Sequence, residues 1–212
     1  ELSDTGYSVH PSPRTLSIIR DKLAQKKFLT ENGIAVAPFL EVNIEEDARR
    51  AGETLGFPFV LKARSGGYDG RGNFTVQSSE DIPTAFEKLG GARLYAEKFI
   101  PFEKELAVVA GRSESGEIRT YPTVETVHEN HICVLVRMRA PVPESPGQKA
   151  EAFAEKVLGA LQGVGVISTE MFLSGGEILV NEIATRVQNS GHITQDPCGT
   201  SQIETHHSPV WG

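Results

Sequence analysis

The chain has 212 residues, 39% hydrophobic and 23% charged, an ordinary balance for a globular protein with one sizeable core or one domain with a distinct lobe. Its net charge of −7 argues against non-specific nucleic-acid binding, so an anionic ligand would need a local basic pocket. Cys133 and Cys198 form no CxxC, no apolar run reaches the length of a membrane span, and no signal peptide opens the sequence. Zinc, a disulfide framework and a membrane partner are therefore disfavoured, and a cytoplasmic protein is expected.

In chain order, Glu1 to His10 are polar without a start methionine, so the sequence reads as a segment of something longer. Ser12-Pro13 has the form of a helix start, with Leu16, Ile19 and Leu23 at helical spacing and a joint expected at Asp21-Lys22. A strand is expected over 36–42, with Pro38 suiting an edge. Asn43 to Glu46 has capping-box spacing and opens a helix to Gly56. Residues 57–62 and 73–77 read as a hairpin, and Ser79 as the cap of a helix ended by Gly90-Gly91. Strands are then expected over 94–100, 106–110, 119–127 and 131–139, the last with alternating Ile132, Val134, Val136 and Met138. Ser145 to Gln148 opens the longest helix, 164–173 and 177–183 are the last strands, and beyond Gly199 there is little pattern.

Between the hairpin strands lies Lys62-Ala63-Arg64-Ser65-Gly66-Gly67-Tyr68-Asp69-Gly70-Arg71-Gly72-Asn73. Glycine lacks a Cβ and tolerates positive φ, so such a loop lets a polyphosphate approach backbone N–H groups, with Lys62 and Arg71 adding positive charge. It fits neither the P-loop nor the Rossmann pattern, and alone it reads as an ordinary glycine-rich hairpin loop. A second constellation changes its weight. Strands 168–173 and 178–183 flank the turn Ser174-Gly175-Gly176-Glu177. If Phe172 faces Val180, Glu170 faces Glu182 on the same side, with Asn181 on the other unless a bulge re-aims it. Like charges opposed in a sheet repel, whereas Mg²⁺ between them makes the pair favourable. The alternatives are a slipped register or two solvated carboxylates.

Phosphate loop, strand-end lysine and carboxylate pair together are the parts of an ATP site. At this point the sequence resembles the N5-carboxyaminoimidazole ribonucleotide synthases, ATP-grasp enzymes of purine biosynthesis, in the fungal form fused to a carboxylase. The matching stretches are Asp21-Lys22-Leu23-Ala24-Gln25-Lys26, the glycine loop, Glu97-Lys98-Phe99-Ile100, Glu170-Met171-Phe172, Asn181-Glu182-Ile183-Ala184, Asn189-Ser190-Gly191-His192 and Thr200-Ser201-Gln202.

The resemblance implies the α+β ATP-grasp fold, two α+β lobes with ATP between them. An N-terminal helical segment would span 1–33, a lid lobe 34–96 and a main lobe 97–212, without the family's N- and C-terminal domains. The implied reaction carboxylates 5-aminoimidazole ribonucleotide with bicarbonate through carboxyphosphate, using ATP and Mg²⁺, in an enzyme whose relatives are commonly dimers. By similarity, Lys22 and Lys62 contact phosphates while Gly67, Tyr68, Asp69, Gly70, Arg71, Gly72 and Asn73 close over them. Glu97, Lys98, Phe99 and Ile100 read the adenine edge through backbone, Glu105 holds the ribose, and His128 makes another nucleotide contact. Glu170 and Glu182 are the implied metal ligands, with Asn181 beside them. Tyr68, Asp69, Arg186, Asn189 and Ser190 lie where the ribonucleotide and bicarbonate bind, Arg186 to steady carboxyphosphate through two N–H groups.

Taken singly, Lys22 reads as a surface lysine, Glu97 and Glu105 as solvated strand-end charges, His128 as part of a polar strand and His192 as a turn residue. Two positions depart from the family's Ala-Pro-Arg-x-His-Asn-Ser-Gly-His: Thr185 replaces a proline and Gln188 a histidine, which removes a titratable group near the substrate. The alternatives to the ligase are an ATP- and Mg²⁺-binding module that has lost the substrate site, and an ATP-grasp ligase of another carboxylate and amine.

Overall fold

The computed structural model describes residues 6–7, 9–66, 72–129, 132–195 and 198–211, the last five as backbone. Two short helices come first. In α1 (Pro13–Ile19) the Ser12 hydroxyl accepts from Thr15 N, and proline occupies the first turn, where its missing N–H costs nothing. In α2 (Lys22–Glu31) the Asp21 carboxylate accepts from Leu23 N and Ala24 N.

A four-stranded antiparallel sheet follows: β1 (Phe39–Val42), β2 (Phe59–Ala63), β3 (Asn73–Val76) and β4 (Leu94–Lys98), in the order β1-β4-β2-β3. The helices α3 (Glu45–Leu55) and α4 (Ile82–Leu89) complete it. Along β2, Phe59, Leu61 and Ala63 are buried in a core with Val76, Ile82 and Ala85. The alternation of a strand sends Val60 and Lys62 to the opposite face.

The larger antiparallel sheet is built from β5 (Lys104–Arg112), β6 (Ile118–Thr120), β7 (Val124–Glu129), β8 (Ile132–Met138), β9 (Gly165–Ser174) and β10 (Glu177–Ala184). Its order is β10-β9-β5-β7-β8, with β6 paired to the end of β5. One face is covered by α5 (Glu144–Leu161), whose Ala150, Ala154, Val157, Leu158 and Leu161 meet Leu106, Val108, Ile167, Met171 and Val180. Burying each large aliphatic side chain there contributes about 1.5–3 kcal/mol. The chain ends in α6 (Gln202–Trp211), packed on β9 and β5. Among the described residues no helix is long and apolar enough to cross a membrane.

Several expectations are corrected. The strand expected over 36–42 is shorter; only β1 forms, and Val36 makes an isolated bridge to Val180. The cap of α3 sits one residue later than the spacing indicated: Asp47 accepts from Asn43 N and Ile44 N. Ahead of α4, Asp81 accepts from Gln77 N and Ser78 N, and Ser79 belongs to a 3-10 turn. The strand expected over 119–127 is two strands, because Pro122 cannot donate to a ladder. The alternation of Ile132 and Val134 does not mark a buried face; they are 58% and 51% exposed on the edge strand β8. The patternless tail after Gly199 forms a helix whose inward anchor is the fully buried Gln202, a polar residue that hydropathy cannot flag.

Candidate functional site

The face of the large sheet opposite α5, covered by α6 at one end, and the Lys62 face of β2 enclose a cleft of about 960 Å³. Its floor comes from β9, where Ser168, Glu170 and Phe172 alternate outward while Ile167, Met171 and Leu173 enter the core. Beside them the β9–β10 ladder pairs Leu179 with Phe172 and Val180 with Met171, then shifts at a bulge so that Glu182 stands opposite Glu170. The expected pairing of Phe172 with Val180 is therefore corrected, and Val180 lies in the core rather than on the carboxylate face. The glutamates still oppose each other because Asn181 is the extra residue. The bulge brings Asn181 and Glu182, neighbours in sequence, to the same cleft.

Burial pushes the Glu170 carboxyl up, and the Glu182 charge pushes it further, to about 6. Lys22 Nζ donates to Glu182 Oε2 at 2.7 Å, so Lys22 is a cleft residue and not a free surface lysine. Its backbone N–H donates to Arg64 O at 2.8 Å, and the Arg64 guanidinium donates to Asp21, with Nη2 to Oδ2 at 2.6 Å. The start of α2 is thus fastened to the base of the glycine segment.

Lys62 lines the cleft and pairs with Glu97, whose other oxygen pairs with Lys26. Glu97 is 2% exposed, which corrects its reading as a solvated strand-end charge. Burial raises its pKa, but the two ammonium groups outweigh that and hold it below the usual range. Its side chain is not part of the cleft wall, and neither are Lys98 and Ile100. The Lys98 N–H donates to Pro38 O and the Ile100 carbonyl accepts from Phe102 N. Phe99 does line the cleft, beside Phe102, which stacks on Phe172 with ring centroids 4.6 Å apart.

On the other flank Glu105 Oε2 and His128 Nδ1 lie 2.5 Å apart, and that hydrogen bond raises the His128 pKa above its ordinary value. Gly72, Asn73, Arg186, Gln188, Asn189 and Ser190 are among the other residues of the walls. Gly67, Tyr68, Asp69, Gly70 and Arg71 lie outside the described residues. Sequence reasoning gave no role to Gln25, Lys26, Phe102, Ser168 or Gln202. Gln25 and Lys26, like Gln202, lay in matching blocks without a stated task, and helical spacing from Lys22 was a further signal for the first two.

A divalent cation fits the carboxylate pair. Two opposed carboxylates, one destabilised as an anion, supply two oxygen ligands and leave the remaining positions to phosphate and water, as Mg²⁺ prefers. Among the described residues there is no cluster of three or more His, Cys, Asp or Glu side chains that would hold a metal by itself.

Two antiparallel sheets thus enclose a cleft in which Lys62 faces the opposed carboxylates of Glu170 and Glu182, and Lys22 is bonded to one of them. A family model for the ATP-grasp domain matches residues 27–203, and the chain belongs to that family. It is 49% identical over 201 residues to the phosphoribosylaminoimidazole carboxylase of Saccharomyces cerevisiae, covering 93% of this chain and 35% of that one. Among solved structures it matches carboxyaminoimidazole ribonucleotide synthase from Aspergillus clavatus complexed with ATP, at TM-score 0.94 and 40% identity, over 99% of this chain and 56% of that one. It also matches N5-carboxyaminoimidazole synthase from Aspergillus clavatus in complex with ADP and 5-aminoimidazole ribonucleotide, at TM-score 0.92 and 38% identity, over 99% and 56% of the two chains. The chain thus spans between about a third and just over half of these relatives.

Proposed function

We propose that this chain is the ATP-grasp region of a ligase that carboxylates 5-aminoimidazole ribonucleotide with bicarbonate at the expense of ATP, by way of carboxyphosphate, in purine biosynthesis. The observation that carries the proposal is the bulge in β10, which places Asn181 and Glu182 against Glu170 across a cleft from Lys62. Phosphoryl transfer asks mainly for positioning and charge neutralisation, and these groups supply both without a covalent nucleophile. Lys22 and Lys62 would neutralise phosphate oxygens, each exchanging its carboxylate partner, Glu182 or Glu97, for the nucleotide. Glu170 and Glu182 would hold Mg²⁺, which supplies charge neutralisation at the transferred phosphoryl group when bound. Gly67 to Asn73 would cover the phosphates, and the backbone of Glu97 to Ile100 would face the adenine beside Phe99 and Phe102. Glu105 and His128 would meet the ribose end. Arg186, with Asn189 and Asp69, would hold bicarbonate and carboxyphosphate while the substrate amine attacks the carboxyl carbon and phosphate leaves.

Calorimetry and turnover test the proposal together. This chain is expected to bind ATP in a Mg²⁺-dependent manner and to release phosphate faster when bicarbonate and 5-aminoimidazole ribonucleotide are both present. Glu182→Ala should weaken MgATP binding at least tenfold. Folded protein that binds no MgATP, or turnover stimulated by a different carboxylate and not by bicarbonate, overturns it.

A further inference from the structure

One stripe of α2 carries Lys22, Gln25 and Lys26, at the i, i+3, i+4 spacing that aligns side chains along a helix. All three engage the four residues Val180 to Ile183 around the bulge. Lys22 takes the Glu182 carboxylate. The Gln25 amide meets both backbone groups of Ile183, accepting from its N–H at 3.0 Å and donating to its carbonyl at 3.0 Å. Lys26 Nζ donates to Val180 O at 3.2 Å. β10 is an edge strand, so side chains of α2, together with the Ala35 carbonyl that accepts from Val180 N at 2.8 Å, here occupy the hydrogen-bonding positions that a further strand would take. The Lys26 ammonium also contacts Glu97 on β4, in the smaller sheet, and Glu97 holds Lys62.

We propose that Lys26 is a positioning residue for the nucleotide and metal site. Through the Val180 carbonyl it holds the bulge that turns Asn181 and Glu182 into the cleft, and through Glu97 it holds Lys62 opposite them. Lys26 does not line the cleft and acts only through these partners. At 2% exposure, with Glu97 equally buried, the pair contributes little net stability: the desolvation of two buried ions commonly matches or exceeds their attraction, and an apolar pair of the same shape is often as stable. What an apolar pair cannot do is aim a carbonyl and a second lysine at the same time. Lys62 and Glu182 are the other charged groups that act on Lys26. The inference rests on the reading of the cleft as a site for MgATP.

The test compares the parent with Lys26→Met and Lys26→Met/Glu97→Gln, measuring the thermal midpoint and ATP binding by calorimetry with Mg²⁺ and with EDTA. Lys26→Met alone leaves Glu97 with one cation and is expected to be less stable, so the double variant decides. It should keep a midpoint near that of the parent, bind MgATP at least tenfold more weakly, and show a smaller ratio between its affinities with and without Mg²⁺. A purely structural role would move the midpoint and leave the affinity of the folded protein unchanged; that result overturns the proposal. So does a double variant that does not fold, because the pair would then hold the fold together rather than aim the site. A parent that binds no MgATP overturns the site reading and this inference with it, whereas a parent that binds beside a double variant that binds equally well overturns the inference alone.

Discussion

Glu170→Gln is expected to make the ligand-free chain more stable at neutral pH and to weaken its MgATP binding at least tenfold. Burial and the Glu182 charge raise the Glu170 pKa from 4.5 to about 6, a penalty of about 2 kcal/mol on the ionised form. Glutamine keeps the shape and still buries a polar group, so the relief it brings is about 1–2 kcal/mol, on the order of 5 °C in the thermal midpoint of a chain this size. The sign follows from proton uptake. A carboxyl whose pKa is raised on folding takes up a proton between about pH 6 and pH 4.5, so its contribution is fully present below 4.5 and is lost as the pH rises through 6. The advantage of Glu170→Gln should therefore be largest above pH 6 and vanish near pH 4.5. Mg²⁺ with ATP should stabilise the parent at pH 7.5 and the variant much less. Thermal melts across pH 4.5–7.5 check this. A variant no more stable than the parent at pH 7.5, or an advantage that persists at pH 4.5, would show that the two glutamates do not repel in the folded chain.

Gly191→Ala should be the most damaging small substitution in the cleft-lining segment around Gln188 to Ser190. An added methyl at position 191 would stand 2.1 Å from Gln202 Oε1 and 2.4 Å from Gln202 Cδ. That amide cannot swing aside cheaply. Gln202 is fully buried; its Oε1 accepts from Gln188 N at 3.2 Å and its Nε2 donates to Gln188 O at 2.8 Å. Displacing it leaves buried polar groups unpaired, and the cost should be about 2–4 kcal/mol. Because Gln188, Asn189 and Ser190 all line the cleft, binding of the ribonucleotide should fall along with stability. Denaturant titrations of Gly191→Ala, Gln202→Ala and the double variant separate the contact from the rest. If the clash is the cause, the double variant is no worse than Gln202→Ala alone; costs that simply add would exclude it.

Much of the architecture was legible because it rests on local patterns. The opening of α5 around Ser145, the turn Ser174 to Glu177 and the run of β2 into Lys62 each announce an element. The opposed glutamates were legible for the same reason, though by a register that proved to be off by one and was restored by the bulge. What stayed hidden is non-local. Glu97 looks like a solvated charge until α2 brings Lys26 and β2 brings Lys62 against it. Gln25 and Gln202 use their amides as backbone substitutes, and no hydropathy pattern marks a polar residue that is buried because another segment's N–H and C=O require it. The apolar residues of β8 mislead in the opposite sense, since alternation implies a covered face only if something packs on it.

The bulge also bears on which length changes β10 can absorb. A strand has parity: removing one residue from a regular stretch swaps core and cleft sides for everything on the far side of the cut, so losing Leu179 would drive Ile178 outward or Val180 into the cleft. Asn181 is outside that rule. Its removal would leave Val180 opposite Met171 and Glu182 opposite Glu170 with no change of side, erasing one cleft-facing amide while the hydrophobic layer stays in step. The position that adds a second polar group to one step of the strand is thus also the place where the strand can be shortened without scrambling the sheet. Deletion of Asn181 is therefore expected to cost less stability than deletion of Leu179, the cost falling on the α2 contacts that span the bulge rather than on the sheet's core.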